Sequence, residues 1–171
     1  MSSKLSSQRM ALKFPAKRDW SWKGQYWLDV GCGSNKQPHC VGMDKRKLDG
    51  VDIVHDCEVL PWPMADETFT RIIMSHLMEH LKPWLVNTIM DEMWRVLKPG
   101  GQLMLAMPYA GSFGFYQDPT HIKTWNEATP QYYDPDFPLY KVYEPKPWKI
   151  VTNTWNQATG LEVVLEVRKE A

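Results

Sequence analysis

The chain has 171 residues, 43% hydrophobic and 23% charged, which suits one globular domain (1–171) with a real core and no room for a second. Its 20 basic residues balance 20 acidic ones, so no global charge steers it to nucleic acid or to anionic lipid. No apolar run approaches the roughly 20 residues of a membrane span, and the first residues lack the apolar core of an export leader.

Residues 1–25 are polar and basic, with Lys4, Arg9, Lys13, Lys17, Arg18 and Lys23 against Asp19. Such a run predicts a solvated arm, or a strip that helps to close a site. An apolar strand over 26–30 then enters Gly31-Cys32-Gly33, where glycine permits positive φ and close approach of a ligand. A second strand over 41–43 ends on Asp44, whose carboxylate can accept from two ribose hydroxyls. The dinucleotide fingerprint wants a third glycine where Lys36 stands and an acid further on than Asp44, and no G-x-x-x-x-G-K-[ST] string occurs. The spacing therefore favours an adenosine ligand without phosphates.

Further strands are expected over 52–54 and 69–74. Leu85, Ile89, Met93, Trp94 and Leu97 recur at helical spacing, predicting a helix from Pro83 to Lys98 that Pro99-Gly100-Gly101 stops. A buried fifth strand follows over 102–107. Residues 108–147 interleave ten aromatic rings, Tyr109 and Trp125 among them, with seven prolines. This stretch predicts an insertion at the carboxyl ends of the strands, walling the substrate, or a satellite core. Alternating Leu161, Val163, Leu165 and Val167 pair with 149–155 as an antiparallel hairpin.

From Tyr26 to about Pro108 the chain resembles the class I S-adenosylmethionine-dependent methyltransferases, in a compact, type 11-like form. The resemblance is carried by LDVGCGS, VGMD, VDIVHDCEVLPWP, FTRIIMSHLMEHL and LKPGGQLMLAMP, in that order. It implies a Rossmann-like, doubly wound α/β sheet, mostly parallel, with an antiparallel C-terminal strand. The implied cofactor is S-adenosylmethionine, held by Asp29, Gly31, Cys32, Gly33, Met43, Asp44, Asp56, Cys57 and Ser75. Two departures stand out. Only residues 34–40, with Pro38 among them, lie between Gly33 and the second strand, too few for the usual helix, so a turn or single helical turn is expected. Lys36 or the arm would then serve the cofactor's carboxylate in place of a helix dipole. Arg71 stands where the family often has an acid.

The string His76-Leu77-Met78-Glu79-His80 matches the H-x-x-E-H zinc pattern. That chemistry needs a sustained helix, which the preceding strand and Pro83 oppose, so no metal is expected and His80 is read as packing. Cys32, Cys40 and Cys57 match no zinc spacing and read as buried, reduced thiols of a cytoplasmic protein.

Methyl transfer to a hydroxyl or amine needs an aligned acceptor and a base; His76 and His121 are the expected bases, with Asp118 as orienter or alternative base. A turn in which Asp118 bonds its own backbone is the structural alternative. No [DNS]-P-P-[YFW] string follows the fourth strand, which disfavours a DNA amine and leaves O- or N-methylation of a small molecule or sugar. A nucleic-acid substrate, through the arm and the aromatics, and a non-catalytic accessory protein are the alternatives.

Overall fold

A computed structural model describes residues 27–169; the basic arm expected over 1–25 lies outside them. Among the described residues the strands are β1 (Trp27–Val30), β2 (Val41–Asp44), β3 (Ile53–Val54), β4 (Phe69–Ser75), β5 (Leu97–Met107), β6 (Trp148–Asn156) and β7 (Gly160–Val167). They form one sheet in the order β3-β2-β1-β4-β5-β7-β6. The first five run parallel, while β7 pairs antiparallel with both β5 and β6. This is the expected mixed α/β sheet.

Central strands buried on both faces read as unbroken apolar runs. Accordingly Leu28, Asp29 and Val30 of β1 and Ile72, Ile73 and Met74 of β4 are all buried. In β7 only Leu161, Val163, Leu165 and Val167 are buried, the period of two that its alternation predicts. Helix α1 (Val86–Val96) turns Ile89, Met90, Met93 and Val96 into the same core. Each such side chain contributes about 1.5–3 kcal/mol when fully buried.

Two boundaries differ from the sequence expectation. Pro83–Leu85 forms a 3-10 turn, and the α-helix proper begins at Val86. At the other end the helix stops before the Pro-Gly-Gly turn, because Leu97 is already extended (φ −80°, ψ 141°) and pairs with Phe69. Pro99-Gly100-Gly101 lies within β5, with Gly100 at φ +70°, where the register shifts between Phe69 and Arg71.

Among the described residues only the β4–β5 connection carries a sustained helix; the chain between β1 and β2 is turns and loop, as the short spacing predicts. Part of the covering that helices would provide comes from Trp62, 2% exposed, in the irregular β3–β4 connection. Its indole N–H donates to the Cys57 carbonyl (2.9 Å) and its backbone N–H to Glu92 of α1 (2.6 Å). Arg71 places its guanidinium 4.8 Å from the Trp27 ring centroid, a cation–π contact that gives this basic residue a structural use.

The aromatic stretch after β5 divides. Trp125 and Tyr133 stack nearly parallel, 5.7 Å apart, inside the core, and the Tyr133 hydroxyl donates to Asn87 of α1. Phe113 and Tyr116, on the four-residue helix α2 (Phe113–Tyr116), face solvent.

Candidate active site

The carboxyl ends of β1 and β2 meet at a turn that needs glycine. Gly31 (φ +70°) and Gly33 (φ +56°) both occupy the left-handed region. A Cβ at Gly31 would lie 2.6 Å from Leu77 Cδ2, so the turn is also tightly covered. The Gly33 N–H donates to Asp44 Oδ2 (2.9 Å), fixing the acid against the turn. Asp44 Oδ1 accepts from the Arg46 N–H (2.9 Å) and Nε (3.1 Å). Burial raises the Asp44 carboxyl's pKa, but the hydrogen bonds from Arg46 and Gly33 more than offset it and hold the group below the usual range.

Asp29 turns the other way. Its carboxylate accepts the Gln37 N–H (2.8 Å) and so pins the loop that replaces the first helix. Lys36 reaches Asp52 (2.7 Å), which also accepts the Gly42 N–H. Cys32 packs beneath Gly42, where a Cβ would stand 2.8 Å from its sulfur. Burial pushes the Cys32 thiol up to about 11 and those of Cys40 and Cys57 up to about 12, so all three stay protonated at neutral pH.

At the exit of β4, His76 takes φ +53°, a conformation uncommon for a residue with a Cβ. The chain turns at once into a 3-10 turn, Met78–His80, instead of a helix. The Glu79 carbonyl accepts the N–H groups of Ile122 (2.8 Å) and Lys123 (3.0 Å), which brings the Asp118–His121 loop over this turn. His76 Nδ1 lies 3.3 Å from Glu79 Oε1, and His121 Nε2 lies 3.9 Å from the same oxygen and 3.8 Å from Asp118 Oδ2. Asp118 bonds its own turn, accepting the Thr120 hydroxyl (2.7 Å) and N–H (2.8 Å), which hold its carboxyl below the usual range.

A cavity of about 520 Å³ opens between these two groups of residues, within the size range of small-molecule sites. Gly31, Met43, Asp44, Asp56, Cys57 and His76 are in its wall, whereas Asp29, Cys32, Gly33 and Ser75 are not. Asp118 and His121 stand behind the wall, which the loop joins through Thr120. His76 also borders a second cavity of about 250 Å³ beside Trp155 and Gly160. Sequence reasoning missed Arg46, which clasps Asp44, and Glu79, which is 1% exposed. The one sequence signal for Glu79 was its place between two histidines in the H-x-x-E-H string.

Residues 28–105 match the family described as "Methyltransferase domain". Over this stretch the chain is similar to methyltransferase domains of the type 11 kind. Around the domain, the fold is shared with solved proteins of low identity. A SAM-dependent methyltransferase from Archaeoglobus fulgidus superposes with TM-score 0.61 at 15% identity, covering 84% of this chain and 86% of its own. One from Methanosarcina mazei gives 0.61 at 16%, covering 92% and 99%. The 1,6-didemethyltoxoflavin-N1-methyltransferase of Burkholderia thailandensis, solved with that substrate and S-adenosylhomocysteine, gives 0.61 at 14%, covering 85% and 73%. No curated protein sequence matches this chain. Among the described residues no helix is long and apolar enough to cross a membrane.

Proposed function

We propose that this methyltransferase domain binds S-adenosylmethionine in the larger cavity and transfers its methyl group to an oxygen or nitrogen of a small-molecule or sugar acceptor. The observation that carries the reading is Asp44, a buried carboxylate held against the Gly31–Gly33 turn on the cavity wall. An acid at the end of β2 beside a glycine turn suits a ribose diol, and the cavity volume suits a nucleoside-sized ligand. Asp56, in the wall after β3, and the backbone at Gly31 complete the proposed set.

The bound cofactor supplies an electrophilic sulfonium methyl. The chain's own work is to align the acceptor and take its proton. His76 is proposed as the base: it is 31% exposed and borders both cavities, between the cofactor side and the end of the β5–β7 pair. Its left-handed backbone is the kind of local strain found where a side chain is aimed for function. His121 and Asp118 back this wall. The Trp155 side of the smaller cavity is the proposed acceptor entrance.

A second reading, a non-catalytic accessory protein, is favoured by one observation: Arg46 occupies acceptor sites of Asp44 that a ribose would need. Isothermal titration with S-adenosylmethionine and S-adenosylhomocysteine, on wild type and Asp44→Ala, separates the two. Saturable binding that the substitution weakens by at least about tenfold, or about 1.4 kcal/mol, supports the cofactor site. No binding to the wild type supports the accessory reading.

A further inference from the structure

We infer that Glu79, His80 and His121 form a site for one divalent transition-metal cation behind the wall of the larger cavity, which His80 lines. One donor atom from each residue lies within 4.8 Å of the others. Ligands about 2.1 Å from an ion stand about 3 to 3.5 Å apart. The 3.9 Å between His121 Nε2 and Glu79 Oε1 therefore closes with a small rotation of either side chain.

The protonation pattern is already arranged for an ion. His121 Nδ1 lies 2.8 Å from the Phe115 carbonyl, which can only accept, so Nδ1 carries the proton and Nε2 the lone pair. Thr120 donates its hydroxyl to Asp118 (2.7 Å), so its oxygen accepts from His80 Nδ1 (3.0 Å), and His80 Nε2 is also a free lone pair. Carboxylate, hydroxyl and carbonyl groups behind ligating imidazoles are the usual outer partners of a metal site. The two rings meet edge to face, centroids 4.6 Å apart.

The third donor gives the independent sign. Glu79 is 1% exposed, and among the described residues neither of its side-chain oxygens has a hydrogen-bond partner. A buried carboxylate left this way costs several kcal/mol unless a cation meets it. His76, 3.3 Å away, fails hydrogen-bond geometry. Two imidazoles and one carboxylate suit a zinc- or cobalt-class ion better than Mg²⁺, which prefers oxygen. His80 and Thr120 line the cavity that holds Asp44, so the ion would border the proposed cofactor space.

The test is titration of the chelator-treated full chain with Co²⁺ and with Zn²⁺, without nucleoside, by calorimetry and visible absorption. The outcome is thus independent of cofactor binding. The expected result is saturation at one equivalent with a ligand-field spectrum, abolished in Glu79→Gln and His80→Asn and retained in His39→Asn. Thr120→Ala, behind His80, should weaken binding by about tenfold or more. Metal should raise the melting temperature of the wild type and leave that of Glu79→Gln unchanged, while metal-free Glu79→Gln melts no lower than wild type. The inference is overturned by the absence of saturable binding, by equal binding in Glu79→Gln and His80→Asn, or by displacement with an equal concentration of Mg²⁺.

Discussion

Arg46 lies folded onto Asp44, with Nε 3.1 Å from Oδ1, while its own side chain is 62% exposed. A carboxylate has about four lone-pair sites, and Arg46 and Gly33 together reach Asp44 through four N–H groups. A ribose diol can bind only if the guanidinium swings out, and its exposure makes that motion cheap. Arg46→Ala should therefore tighten S-adenosylhomocysteine binding. Asp44→Asn should weaken it by about 1.5–3 kcal/mol, the value of a hydrogen bond to a charged group. Calorimetry on the two variants gives opposite signs if Arg46 is a gate.

Gly31→Ala should destabilise the domain by about 1–2 kcal/mol, since a residue with a Cβ resists the left-handed conformation. Adding Leu77→Ala removes the 2.6 Å contact but not the backbone strain, so urea denaturation of the double variant should recover only the steric part.

Glu92 accepts the Trp62 N–H (2.6 Å) and pairs with Arg95 (2.6 Å) at a largely buried position. Glu92→Ala leaves the Trp62 donor unpaired and should cost about 1–3 kcal/mol in urea denaturation. Burial raises the Glu92 carboxyl's pKa, but bonds from Arg95 and Trp62 bring it below the usual value of 4.5. Its contribution is present above that value and is lost as pH falls through the lower, folded one. The variant should consequently show a shallower acid limb than wild type.

Cys32, Cys40 and Cys57 should resist iodoacetamide at neutral pH in the folded protein and label together on unfolding, counted by mass spectrometry. Their folded pKa values, about 11 to 12, stand above the ordinary 9.0. The stability they lend is intact below pH 9.0 and declines as pH rises toward the folded values.

The sheet was readable because local pattern and tertiary role agree: β7 alternates with one buried face, and β1 runs apolar into a turn that only glycine makes easily. The β5 start was not, because Pro99-Gly100-Gly101 stops helices in general, and only pairing of Leu97 with Phe69 makes the segment a strand. Asp44 was legible from spacing; Arg46 was not, since nothing local says that a residue two positions on folds back. The Glu79–His80–His121 cluster was hidden for a deeper reason. H-x-x-E-H is a helical pattern, but a left-handed His76 and a 3-10 turn break the helix, and the third donor arrives from a distant loop through the Glu79 carbonyl.

The most direct measurement is a crystal structure of the full chain with S-adenosylhomocysteine. The ribose hydroxyls are expected on Asp44, the Arg46 side chain displaced from its present 3.1 Å contact, and the homocysteine sulfur facing His76. A ligand bound elsewhere, with Arg46 still closed on Asp44, would contradict it.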